Sequence, residues 1–354
     1  MERLYAAMSA RVSNNLFESM RDAGDFQPAV SGATLLAAIF CCGVLAGTLL
    51  LAGFGILLLY KGNLIFGLPV IVGALLYRPQ LGKAPRTVLP RSACPTLYRL
   101  ADDVAAALGI GPVAGIAITG EFNASFAQVG WRRRRYLYLG LPLWGILQED
   151  EAVALIAHEL AHGVNGDPSR RIMVSWAINT LAAWTDALIG GAVTAIFAPV
   201  PWSGLVLLCH LLAYEQQKSE YRADYLAARV SGTAASLSLL DKLHHEETFG
   251  RIRRQAHTQW GNPDIVSELR RQVMSLPARE MERIRRVQRL ADSRLDVSHP
   301  PTAHRIAVLQ ANPTLHPALQ LPSVDLEQIN RELAPALAAL RQQVLTTRRW
   351  IVVQ

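Results

Sequence analysis

Residues 35–60 run for a full bilayer-spanning length without one charged side chain, and this stretch restricts the fold more than any other. In hydrocarbon the backbone must satisfy its own hydrogen bonds, so such a segment is helical. Residues 64–77 are apolar again after Lys61-Gly62-Asn63, which reads as a transmembrane hairpin with a short second arm. The turn could equally fall earlier, near residues 53–55, with Lys61 snorkelling. The first thirty residues are polar and mixed in charge, and the apolar stretch is too long for a signal core, which argues against cleavage. Arg3, Arg11 and Arg21 precede the hairpin and Arg78, Lys83, Arg86 and Arg91 follow it, placing both ends in the cytoplasm. A chain of 354 residues that is 51% hydrophobic and 18% charged is long enough for two domains and too apolar for an ordinary soluble protein.

Residues 172–214 form a second apolar region, interrupted by Pro199-Val200-Pro201 and flanked by Arg170, Arg171, Lys218 and Arg222. These flanks imply a second hairpin entering from the same side, for four expected spans in a multi-pass protein of the cell membrane. Asn179, Thr185, Asp186 and His210 dilute it, so these helices could lie partly outside the bilayer. Asp186 would be costly against lipid and is expected to face the bundle or a watery cavity. Cys41, Cys42, Cys94 and Cys209 do not make a disulfide framework and read as free thiols. The net charge of +7 is mostly Arg, with eleven Arg against five acids over residues 251–294. Given the spans, anionic lipid headgroups are the expected partner of this basic region, and nucleic acid is not.

Between the apolar regions, Leu97, Leu100, Val104 and Leu108 have helical spacing closed by Gly109. Residues 113–119 and 136–140 are β-prone, with residues 123–127 and a tip at residues 132–135 between them, which reads as a small antiparallel sheet with an exposed hairpin. The four Arg of the tip read first as a solvated turn and second as a headgroup contact. The chain divides into an N-terminal cytoplasmic segment (1–30), a transmembrane hairpin (31–78), a first catalytic part (79–171), a second hairpin (172–216), a second catalytic part (217–310) and a helical C-terminal extension (311–354).

The chemistry concentrates in His158-Glu159-Leu160-Ala161-His162, inside an apolar helix opened by Gln148-Glu149-Asp150-Glu151. Imidazoles four residues apart share a helical face and can hold one zinc ion, while Glu159 beside them can take a proton from metal-bound water and pass it to a leaving amine. Such a site hydrolyses peptide bonds. The bland alternative is a buried helix whose two His satisfy backbone carbonyls. A hydrolytic zinc also needs a third protein ligand and an open position. Glu220 and Asp224 stand four apart on one expected helix, so if Glu220 binds the metal, Asp224 can fix the tautomer of a ligating His. Taken alone, that pair is more often a solvated helix face.

With Asn123-Ala124-Ser125-Phe126-Ala127 upstream and Ser298-His299-Pro300-Pro301 followed by Arg305 downstream, these motifs resemble the integral-membrane zinc metallopeptidases that include the HtpX heat-shock proteases and the CAAX prenyl proteases. The resemblance covers residues 95–309 or so. It implies one Zn2+ per chain on His158, His162 and Glu220, Glu159 as general base and then acid, and Asp224 as a partner of a ligating His. It makes His299 a stabiliser of the oxyanion or a holder of the substrate carbonyl, against the alternative that His299 only shapes a Pro-Pro turn. Arg305 pairs with a site carboxylate, and Asn123 and Ala124 lie on the strand beside the cleft, where an extended peptide could add by backbone hydrogen bonds. Residues beyond 310 are not matched. His244, His245 and His257 read as surface residues, with no second metal.

The expected whole is a mainly α integral-membrane protein with a cytoplasmic, zincin-like α+β catalytic domain, cleaving membrane proteins or peptides in protein quality control. A specific maturation protease for a lipidated or secreted precursor would share the chemistry. A non-catalytic membrane adaptor with a structural zinc site would have no use for Glu159.

Overall fold

A computed structural model of the chain describes residues 2–22, 26, 32–76, 84–130, 132–164, 168–191, 194–258, 264–289 and 299–346. Arg78, Lys83, Arg294 and Ser298, on which the sequence-based expectations partly draw, lie outside these residues. Helix α1 (Glu2–Asp22) precedes α2 (Gly32–Tyr60) and α3 (Leu64–Leu76), and the soluble core begins with α4 (Pro95–Ala107). Strands β1 (Gly115–Thr119), β2 (Ala124–Val129) and β3 (Arg134–Gly140) lead through the short α5 (Leu141–Trp144) into α6 (Glu149–Val164). Helix α7 (Pro168–Ile189) runs out and α8 (Pro199–Ser231) returns. After them come α9 (Thr233–Leu243), α10 (Glu246–Thr258), α11 (Ile265–Met274), α12 (Ala278–Arg289), α13 (Thr302–Ala311) and α14 (Ser323–Thr346).

The apolar helices α2, α7 and α8 pack on one another through Ala37, Cys41 and Val44 of α2, Ala177 and Leu181 of α7, and Leu208 of α8. Small side chains at such a seam let helix backbones approach closely. The outer faces stay apolar: Leu49 and Leu50 of α2 are each 74% exposed, a surface that suits hydrocarbon and not water. Among the described residues two helices are long and apolar enough to cross a membrane, Thr34–Tyr60 and Thr194–Ser231, so two of the four expected spans meet that requirement. At 1.5 Å per residue, the 13 residues of α3 reach only about 20 Å. Asp186, expected to face the bundle or a watery cavity, is exposed close to the end of α7 and not packed into the bundle.

The sheet corrects the antiparallel expectation. Its order is β1-β3-β2, with β1 parallel to β3 and β2 antiparallel to β3. The crossing that puts β2 outside β3 passes through residues 120–123, where the chain comes so close to Gly140 that a Cβ there would stand 2.0 Å from the Glu121 carbonyl oxygen. Only glycine fits that position. In this order β2 is an edge strand, paired on one side only among the described residues.

Helix α14 belongs to the core and is no appendage. Leu326, Ile329 and Leu333 are buried in the same cluster as Leu97, Leu100 and Val104 of α4 and Val153, Ile156 and Leu160 of α6. Helix α4 has Cys94 at its N-cap with no side-chain cap, and the carboxylate of Glu332 supplies one from α14, accepting from the Thr96 and Leu97 amides at 3.0 and 3.1 Å. Those are two of the orphan donors of the first turn, facing a negative charge at the positive end of the helix. Glu332→Ala is expected to lower stability by about 1 kcal/mol, the usual value of a lost cap, as read by thermal or denaturant unfolding.

Much of the Arg-rich region is internally compensated. Arg271, Arg283 and Arg286 pair with Glu268, Glu280 and Glu282 on their own helices, and Arg285 reaches Asp241 of α9. Arg91, counted among the charges flanking the first hairpin, donates instead to Asp102 and to the Val113 carbonyl inside the soluble domain.

Candidate metal centre

Helix α6 opens with a side-chain cap, as the Gln148 amide donates to Glu151 Oε2 at 2.7 Å. That carboxylate is buried, and it also accepts from Ser238 Oγ at 2.5 Å and Lys242 Nζ at 2.8 Å on α9. In the sequence Glu151 reads only as a first-turn acid; its position three residues after Gln148 is the available sign of a cap. With its start fixed this way and residues 152–157 fully or almost fully buried, α6 is a rigid platform for the two imidazoles in its next turns.

His158 and Glu159 are buried on α6, and the rings of His158 and His162 stand perpendicular with centroids 5.0 Å apart. Helix α8 brings Glu220, also buried, between them: His158 Nε2 lies 3.6 Å from Glu220 Oε2, and His162 Nε2 lies 3.4 Å from Glu220 Oε1. One donor atom from each of the three falls within 4.8 Å of the others. Bonds of roughly 2.0–2.1 Å in tetrahedral arrangement require donor atoms about 3.3 Å apart, so two nitrogens and a carboxylate gathered this closely are the donor set a zinc ion takes.

Behind the donors runs a chain of charged hydrogen bonds. His158 Nδ1 is 3.0 Å from Asp224 Oδ1, which leaves Nε2 to face Glu220 and His162. Asp224 is held by Arg305 in a bidentate pair, Nε to Oδ2 at 2.7 Å and Nη2 to Oδ1 at 2.6 Å, both residues being buried. Thus α13 orients Asp224 of α8, and Asp224 in turn fixes the His158 ring of α6. Burial works against a charged imidazole at His158, but the hydrogen bonds to Asp224 and Glu220 outweigh it and carry its pKa up to about 10. The centre draws positive charge to itself. Burial also pushes the Glu159 carboxyl up, against the pull of His158.

His299 lies where its Nδ1 meets Glu220 Oε2 at 2.7 Å, its side chain half exposed. His299 thus reaches the centre from the segment before α13 and pairs with the Glu220 carboxylate. Asn123 closes the turn into β2, its Oδ1 accepting from the Ala124 amide at 2.9 Å and its carbonyl from the Gly140 amide at 2.9 Å. The Ala124 methyl is buried in the core, so only its backbone can meet a ligand. Phe126 of β2 presses on Gly163, where a Cβ would come within 3.1 Å of the ring, and this seats the edge strand beside the last turn of α6.

Comparison with known proteins agrees with this geometry. The family model for Peptidase family M48 matches residues 95–312, the whole of the centre included. Three similar proteins, each named Protease HtpX, come from Hahella chejuensis, Pseudomonas fluorescens and Xylella fastidiosa. The first is 25% identical over 253 residues, covering 66% of this chain and 76% of its own length. The second is 28% identical over 191 residues, covering 49% and 64%. The third is 26% identical over 245 residues, covering 64% and 74%. No solved structure gives a significant match.

Proposed function

Because the chain belongs to peptidase family M48 and is accordingly a metalloprotease, we propose that it is a membrane-embedded zinc endopeptidase that cuts membrane-associated proteins or peptides beside the bilayer, on the cytoplasmic side. One observation carries this reading. Helix α8 runs unbroken from its apolar half, Pro199 onward, into Glu220, with no interruption at residue 216. From Tyr214, the last residue of the apolar region, to Glu220 the rise is about 9 Å, so the metal centre sits within a few extended residues of the helix portion suited to hydrocarbon.

Each residue of the centre has its own task. His158, His162 and Glu220 would hold the ion, which when bound supplies Lewis-acid polarisation of the scissile carbonyl and an acidified water. Glu159 accepts the proton of the attacking water and delivers it to the amine nitrogen as the peptide bond breaks. His299 holds the Glu220 carboxylate through Nδ1. The free edge of β2 takes an extended substrate through backbone hydrogen bonds, which reads chain direction and not side-chain identity. That suits many unfolded sequences and favours quality control over a single maturation cut. The exposed Arg132–Arg134 tip suits anionic headgroups.

A strong chelator should abolish proteolysis, and stoichiometric Zn2+ should restore it; activity that survives complete metal removal would exclude the assignment. Replacing the wild type by its Glu159→Gln form and surveying accumulated membrane proteins by mass spectrometry should show many unrelated fragments missing, whereas loss of one defined product would select the maturation reading.

A further inference from the structure

Helix α1 lies outside the segment that matches the family, and it contacts α8 and α13 beside residues of the centre. Ser13 Oγ donates to Gln217 Oε1 at 2.9 Å, with both residues fully buried, and Gln217 stands one turn ahead of Glu220 on α8. Leu16 and Met20 pack with Tyr221, the neighbour of Glu220, and with Val308 of α13. Phe17 stacks on His304, ring centroids 4.2 Å apart and planes at 19°, and the next residue is Arg305. Past the end of α1, the Phe26 carbonyl accepts from Arg222 Nε at 2.6 Å while its ring stacks on Tyr225, the neighbour of Asp224, at 4.1 Å.

We propose that α1 is a positioning element of the metal centre: it clamps α8 to α13, and so fixes Glu220, Asp224 and Arg305 in register with the two imidazoles of α6. The physical need is plain. Glu220 reaches the centre from α8 and the Asp224–Arg305 pair spans α8 and α13, so a small slide between these helices spoils the donor separations and the tautomer of His158 together. Helix α6 meets α8 through His158 and His162, and the Asp224–Arg305 pair joins α8 to α13, so α1 adds a further tie between those two helices on the side away from the polar contacts of α6 with α9 at Glu151. A buried Ser–Gln hydrogen bond adds direction to what would otherwise be an apolar seam, because leaving Gln217 Oε1 short of a donor is costly whereas sliding an apolar contact is not. This inference rests on the metalloprotease reading.

The test uses the full chain in detergent or vesicles, with Ser13→Ala as the mild variant, Phe17→Leu as the stronger one and Ser13→Thr as the conservative control. Zinc retention against a competing chelator, the visible spectrum of the cobalt-substituted protein and the split between kcat and KM are recorded beside thermal unfolding. Ser13→Ala should lose metal about threefold to tenfold more readily, alter the cobalt spectrum and lower kcat at unchanged KM, with Ser13→Thr restoring all three. Unchanged metal retention and an unchanged cobalt spectrum in both Ser13→Ala and Phe17→Leu, whatever happens to stability, would reduce α1 to ordinary packing. Metal retention is measured without substrate, so a wild type that binds zinc and cleaves nothing would defeat the protease reading while leaving this result legible.

Discussion

Glu159→Gln is expected to keep its metal and to lose turnover by about a thousandfold, within the 10²–10⁴ range contributed by a positioned general base. The amide is nearly isosteric with the carboxyl and stays inside a buried helical turn, so His158, His162 and Glu220 keep their places. What disappears is the ability to take a proton at one moment and return it at the next. The wild-type carboxyl is suited to this because burial raises its proton affinity above that of an ordinary Glu. Equal zinc content with retained cleavage of an unfolded membrane substrate would remove Glu159 from the reaction.

Arg305→Met is expected to give the largest loss of stability of any single change near the centre, about 3–5 kcal/mol, the usual cost of stripping one partner from a buried ion pair. Arg305 and Asp224 each have only about 5% of their side chains exposed, and the bond between them is bidentate. The variant would leave Asp224 charged, buried and still required by His158. Its folded yield and unfolding temperature should fall together with zinc affinity. The double variant Asp224→Leu with Arg305→Met should recover part of the stability but none of the affinity, since the imidazole has lost its orienting partner. A single variant as stable as the wild type would show that water reaches the pair.

The centre is legible in the sequence where chemistry imposes a spacing. His158 and His162 stand four apart with Glu159 between them and share a helical face, so that pair can be read without a fold, whereas Glu220 and Asp224, equally spaced, read alone as a solvated helix face and take their meaning from the neighbouring motifs. The partnership of His299 with Glu220 is not legible, because a lone His before two prolines carries no periodic signal. Composition divides α8 at residue 216, where the chain changes from Leu-rich to polar. Composition marks solvent, however, and not backbone: Glu215, Gln216, Gln217 and Lys218 are good helix formers, and the helix continues through them. The sheet order is hidden for a different reason. Local pattern identifies strands, but the parallel pairing of β1 with β3 depends on the tight crossing at Gly140, whose requirement emerges only when the two backbones meet. In the C-terminal helix the spacing of Leu326, Ile329 and Leu333 announces a buried face, while nothing local reveals that α4 is its partner.

The cap that Glu332 places on α4 has a consequence for the timing of biosynthesis. The amides it satisfies belong to residues 96 and 97, separated from it by 236 and 235 positions, so the segment between them must be synthesised before that helix end is complete. Until α14 docks, the first turn of α4 keeps two amides without their carboxylate, so the two ends of this domain fold as one unit.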